Sequence, residues 1–151
     1  MVNTDFDQPY CGGFQEGAHR FAIRVYYEDT DLSGIVYHAN YLRFMERARS
    51  DMLRALGIDQ RGAADSGQGV YAVTDLAIRY RRPARLDDAL VVVSRVDQVK
   101  AASCVLTQRI ECGGDVLTDA VVTVAFLTPD GRPRRQPRAW VEAFERAREK
   151  A

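Results

Sequence analysis

Residues 24–49 read RVYYEDTDLSGIVYHANYLRFMERAR, and the interpretation of the whole chain turns on them. The stretch opens on β-branched and aromatic residues, passes through the acids Glu28, Asp29 and Asp31, and turns at Gly34. It then reaches His38 and a run with helical periodicity. From about Ala39 to Leu56 the apolar positions Tyr41, Met45, Ala48, Met52 and Leu56 recur at helical spacing, flanked by Leu42 and Leu53. So broad a stripe predicts a helix held mainly in the core, closed by Gly57.

Outward from this helix, the upstream segment FAIRVYY, Phe21–Tyr27, has the composition of a strand, and EDTDLSG breaks it with turn formers. Downstream, IDQRGAADSGQG reads as a linker with one short helical turn. Four segments then alternate with period two: Val70 to Tyr80, Leu90 to about Lys100, Cys104 to Ile110, and Val116 to Phe126. Their Gly-bearing turns suggest long antiparallel neighbours. The terminal PRAWVEAFERAREK reads as an amphipathic helix, with Trp140 and Phe144 four apart. Strand, long helix and four long strands make an α+β chain, with one curved antiparallel sheet of about five strands against one helix. Sheet edges left bare are a hazard unless paired, so a dimer at least is expected.

The chain has 151 residues, 46% hydrophobic and 28% charged, with a formal net charge of zero. That suits one globular domain able to bury roughly 70% of its unfolded surface, and argues against a dedicated nucleic-acid binder. Residues 1–20 lack a continuous apolar core and read as a flexible leader, leaving residues 21–151 as the single domain. No apolar run approaches the roughly 20 residues that span a bilayer. Cys11, Cys104 and Cys112 form no CxxC pair, which fits a reducing cytoplasm.

G-x-S-x-G, Walker, G-x-G-x-x-G and HExxH motifs are all missing. With only His19 and His38 present, a His/Cys metal site is not easily assembled, and acid–base chemistry falls to carboxylates, His38 or tyrosines. The N–H groups at a helix start favour negative charge and can stabilise an oxyanion. A carboxylate beside them, such as Asp31, could activate water or attack a carbonyl. The same pattern is equally that of an acid capping a helix, with the other acids solvated. His38 fits either a polar first-turn residue or a catalytic group. Glu46, among Arg43, Arg47 and Arg49, is most simply an intrahelical ion-pair partner. Arg79, Arg81 and Arg82 before Pro83, and the run RPRRQPR from Arg132 to Arg138, could hold phosphates or be solvated faces.

The run YYEDTDLSGIVYHANYLRFMERAR resembles the signature of the hotdog-fold acyl-CoA thioesterases of the 4-hydroxybenzoyl-CoA thioesterase type, and within them the Tol-Pal-associated, YbgC-like branch. IRYRRPARLDDAL, Ile78–Leu90, and the TQRIE strand resemble that branch as well. The resemblance covers about Phe21 to Ala147. It implies a hotdog fold, a long helix wrapped by a curved antiparallel sheet, dimerising edge to edge and often forming tetramers. It further implies hydrolysis of a short- or medium-chain acyl-CoA, no metal or bound cofactor, a cytoplasmic location and a peripheral association with the cell envelope. The catalytic carboxylate maps onto Asp31. The histidine of VYH maps onto His38, and the helix start polarises the thioester carbonyl. Gly34, Tyr37 and Tyr41 of the motif, with Arg81 and Arg82, are the candidate substrate contacts. Two other readings share the fold: a hydratase or dehydratase of hydroxyacyl thioesters, and a non-catalytic module that binds acyl-CoA or protein.

Overall fold

The apolar stripe forms helix α1, Asn40–Ala55, whose buried side chains include Phe44, Met45, Ala48 and Met52. In the computed structural model, residues 4–150 are described. The helix stops where the sequence predicts. Gly57 takes φ +81°, and the Ile58 N–H reaches back to the Leu53 carbonyl over 2.9 Å while that of Gly57 bonds Arg54. Only a residue at ease in the left-handed region closes a helix this way. A short helix α2, Gln60–Asp65, follows, capped by the Asp59 carboxylate, which accepts from the Gly62 N–H at 3.0 Å.

The strands are β1 (Gly13–Gln15), β2 (Ala18–Arg24), β3 (Val70–Tyr80), β4 (Ala89–Val99), β5 (Ser103–Cys112) and β6 (Asp115–Leu127), and helix α3 covers Arg138–Glu149. They form one antiparallel sheet in the order β1-β2-β4-β5-β6-β3. One face of the sheet receives α1: Val92, Ile110, Ala120 and Val122 pack with Val25, Tyr41, Phe44, Met45 and Ala48. A second cluster joins Met52 and Leu53 to Val96, Leu106 and Phe144, so α3 covers the far end of α1. Register shifts at Val73/Asp75, Val96/Gln98 and Ile110/Glu111 interrupt three ladders, and such bulges sharpen a sheet's twist. This is the helix-on-sheet layout that the resemblance implies. Among the described residues no helix is long and apolar enough to cross a membrane.

Two boundaries differ from expectation. The sheet has six strands rather than about five, because residues 13–20, assigned by sequence to a leader, form β1 and the start of β2. The connecting turn, Glu16-Gly17, has positive φ at both positions (53° and 76°), the geometry that matches hairpin twist. Behind it His19 is fully buried, and its Nε2 lies 2.7 Å from Asp51 of α1. The same carboxylate accepts from the Gly12 N–H at 3.0 Å. A Cβ on Gly12 would meet the Arg20 carbonyl oxygen at 2.1 Å, so only glycine fits that crossing. At its other end β2 stops at Arg24 instead of Tyr27. The Asp29 carboxylate accepts from the Tyr26 N–H at 2.8 Å and draws Tyr27–Asp29 into a 3-10 turn.

Candidate active site

The loop between that turn and α1 is folded by its own acids. Asp29 is buried and bridges two elements, accepting from the Tyr26 N–H through Oδ2 and from Asn40 Nδ2 through Oδ1, both at 2.8 Å. Its carbonyl accepts from the Tyr37 N–H at 2.9 Å. Asp29 is therefore structural: it fixes the start of α1 against the end of β2. Glu28 is exposed.

Asp31 points the other way and is exposed. Its Oδ1 accepts from the Ser33 backbone N–H at 2.8 Å and from the Ser33 hydroxyl, while the Gly34 N–H bonds its carbonyl. The turn needs Gly34 at φ +82°. The hydroxyl and then the amide of Ser33 hold the Asp31 pKa below the ordinary 3.8, and the nearby charge of His38 acts in the same direction. The carboxylate is thus fully ionised at neutral pH.

No side chain caps α1. Its N-cap is Ala39, and among the described residues no protein acceptor takes the N–H of His38 or Ala39. The capping explanation for Asp31 fails on this geometry: the carboxylate serves its own turn and leaves the helix start open to another electronegative atom. His38 is exposed. Its ring lies 4.6 Å from that of Tyr37 and 6.3 Å from that of Tyr80, centroid to centroid, and its carbonyl accepts from the Tyr80 hydroxyl at 2.8 Å.

Asp31, Gly34, Tyr37 and His38 are thus brought together on one exposed loop at the helix start. Tyr41 sits directly beneath, 3% exposed, with its hydroxyl accepting from the Ala84 N–H at 2.9 Å. It braces the segment after Pro83, whose Ala84 carbonyl in turn accepts from the Val36 N–H. Arg81 and Arg82 follow Tyr80 in the chain, but each is engaged by a carboxylate of β6: Arg81 with Asp119, and Arg82 with Asp115 at 3.2 Å. Arg79 is exposed. In the RPRRQPR run, Arg132 pairs with Asp130, Arg134 donates to the Gln68 carbonyl and Arg138 pairs with Glu142. Glu46 pairs with Arg49, as its helical position predicts. Burial pushes the Cys104 thiol, in the second core cluster, up to about 11, and the thiol stays protonated. Ser33 and Tyr80 bond to Asp31 and to the His38 carbonyl, although nothing in their spacing singled them out. Ser33 was legible only as a turn residue, and Tyr80 reaches His38 across 42 residues of chain.

The thioesterase superfamily pattern matches residues 33–118, over half of the chain. The chain belongs to the thioesterase superfamily. His38, Tyr41 and Tyr80 lie within the matched span, and Asp31 stands two residues before it. The acyl-CoA thioesterase YbgC of Haemophilus influenzae is 46% identical over 107 residues, covering 71% of this chain and 79% of that one. The acyl-CoA thioester hydrolase YbgC of Escherichia coli O6:H1 is 39% identical over 128 residues, 83% of this chain and 95% of the relative. Among solved structures, a probable thioesterase from Bartonella henselae superposes with a TM-score of 0.77 at 37% identity, covering 80% of this chain and 99% of that one. The DHNA-CoA thioesterase of Staphylococcus aureus gives 0.81 at 25% identity, covering 87% and 91%. The superfamily's helix-on-sheet fold and the recognised motif thus coincide in one molecule.

Proposed function

We propose that this protein hydrolyses the thioester of a short- or medium-chain acyl-CoA to the free acid and CoA, with Asp31 as the catalytic carboxylate. The supporting observation is the pairing at the start of α1: an ionised, exposed carboxylate beside backbone N–H groups that no protein acceptor occupies. A thioester carbonyl oxygen placed on the His38 and Ala39 amides would have its developing charge stabilised, an effect worth roughly 10²–10³ in rate per donor. YbgC relatives that carry the acyl-CoA thioesterase name point to the same chemistry.

Two routes fit the arrangement. As a general base, Asp31 takes a proton from water, the hydroxide attacks the carbonyl carbon, and the collapsing tetrahedral adduct expels the CoA thiolate, which is reprotonated. As a nucleophile, an Asp31 oxygen bonds to the carbonyl carbon, the C–S bond breaks, and water cleaves the resulting mixed anhydride to the acid and free carboxylate. A base works best with a pKa near the working pH, whereas Ser33 holds Asp31 in the opposite direction. The same shift also lowers a carboxylate's nucleophilicity, so this electrostatics does not divide the two routes. His38, close to Asp31, orients water or the substrate. Arg81 and Arg82, already paired with Asp119 and Asp115, would serve the CoA phosphates by exchanging a carboxylate partner for a phosphate.

The proposed assembly is a homodimer joined through the free edge of β3, which can pair further into a tetramer. The proposed location is the cytoplasm, beside the cell envelope, as the Tol-Pal-associated branch implies. Asp31→Asn tests the site. Thiol release across an acyl-CoA panel is expected to fall by roughly 10²–10⁴ or more, with circular dichroism and Tm unchanged because the side chain is exposed. A folded, fully active variant would overturn the assignment. Hydration of crotonyl-CoA without CoA release would move the protein to the hydratases, and no release from any thioester would leave a binding module.

A further inference from the structure

The bond from the Tyr80 hydroxyl to the His38 carbonyl, 2.8 Å long, has no part in either hydrolytic route, yet it falls on a particular peptide. In a regular helix the His38 carbonyl would accept from the N–H of Leu42, four residues on. Here the Leu42 N–H bonds the Ala39 carbonyl instead, at 3.2 Å, and the His38 carbonyl is left to Tyr80. The same peptide unit carries the Ala39 N–H, which no protein acceptor takes among the described residues.

The carbonyl and the N–H of one peptide are joined by resonance across the C–N bond. A proton donated to the oxygen draws electron density from the nitrogen and makes its N–H a stronger donor. Hydrogen bonds in such a chain reinforce one another by roughly 10–30% each. The chain here runs from the Tyr80 hydroxyl through the His38 carbonyl to the Ala39 N–H, and then to whatever oxygen sits at the helix start.

The edge strand holds the first member of this chain firmly. Tyr80 pairs with Thr118 of β6, and the N–H groups of Arg81 and Arg82 both bond the Leu117 carbonyl, so β3 stays tied to the sheet past this side chain. The ring meets that of Tyr41 at 5.5 Å and that of His38 at 6.3 Å, nearly perpendicular to the latter. Partial burial raises the phenol's pKa above its ordinary value, so the proton it donates is kept at neutral pH.

We propose that Tyr80 is a positioning residue for thioester hydrolysis: its hydroxyl fixes the peptide between His38 and Ala39 and strengthens the Ala39 N–H as a donor to the thioester carbonyl oxygen. The proposal rests on the thioesterase reading above. One oxyanion donor is worth roughly 10²–10³ in rate, and strengthening it by a tenth to three tenths corresponds to about two- to eightfold.

Tyr80→Phe removes the hydroxyl and keeps the ring. Thiol release from butyryl-CoA is expected to lose about two- to eightfold in kcat with KM and Tm unchanged, because the donor counts most once charge develops on the oxygen. A bond that only stapled the loop would not change the substrate's carbonyl, so the second readout is spectroscopic. In an Asp31→Asn background, which slows turnover, the infrared band of bound butyryl-CoA, isotope-labelled at its carbonyl, should move to higher wavenumber when Tyr80→Phe is added. In the ligand-free protein, the His38 carbonyl carbon and the Ala39 amide nitrogen should both shift upfield in the NMR spectrum of Tyr80→Phe. An unchanged kcat, a loss confined to KM, or an unmoved carbonyl band would overturn the proposal. If the wild type releases no thiol from any acyl-CoA, the thioesterase reading fails by itself, and unmoved NMR shifts would overturn the polarised peptide as well.

Discussion

Asp29 and Asp31 stand two residues apart and have opposite fates. The first is buried and bonded on both oxygens by neighbouring elements, and the second is exposed and bonded only within its own turn. Burial of a carboxylate is tolerable only when it is hydrogen-bonded, which Asp29 is on both oxygens, to groups that fix the loop rather than to an open site. Ser33 is the residue that tunes the second. Ser33→Ala removes the hydroxyl donor that favours the ionised form, so the Asp31 pKa should rise toward 3.8. Carbon-detected NMR titration of the Asp31 carboxyl should show a later midpoint, and the acid limb of kcat/KM should move to higher pH with it. An unmoved midpoint would remove Ser33 from the site. At this scale the sequence was informative through its motif alone. The spacing of Asp31 before a helix fitted capping as well as catalysis, and only coordinates show which amides the carboxylate actually takes.

Among the elements, α1 and β3 carry most of the functional argument, and they were differently legible. The α1 stripe is a local property, since residues three and four apart must share a face, so Tyr41 to Met52 announced the helix and its buried side. β3 was equally visible as a strand, but its partner was not: it pairs with β6 on one side only and forms the sheet's edge. Val70, Val73 and Tyr80 are exposed there to the extent of 42, 46 and 46%, more than an edge left in water would ordinarily show. A second copy adding its own β3 would cover them. Val73→Lys, which places a charge on that edge, should shift the dimer toward monomer in light scattering at micromolar concentration while leaving the far-ultraviolet circular dichroism unchanged. A wild-type protein that scatters as a monomer would remove the edge-pairing proposal.

Across the whole molecule the least legible feature was the first hairpin, because its anchor is non-local. His19 looked like a leader residue, and its partner Asp51 lies 32 positions away on a helix face that reads as ordinary. Burial lowers the His19 pKa below 6.5, more than the Asp51 hydrogen bond and charge restore it. The unfolded chain therefore binds a proton near pH 6.5 that the folded chain refuses. Stability should be complete above that pH and should decline as pH falls through 6.5 toward the folded value. Urea midpoints at pH 7.5 and 5.5 should differ in the wild type, and His19→Gln should flatten that difference while lowering the midpoint at pH 7.5. Equal slopes in the two proteins would sink the idea.

Where the folding unit begins follows from the same corner. A chain cut at Phe21, the boundary suggested by the recognisable motif, would lose β1, half of β2, the Gly12 amide and the His19 imidazole together. The Asp51 carboxylate would lose both of its donors, and this side of the central helix would lose the hairpin that covers it. Residues outside the recognisable motif thus help to hold the central helix in place, through the Gly12 amide and the His19 imidazole on Asp51.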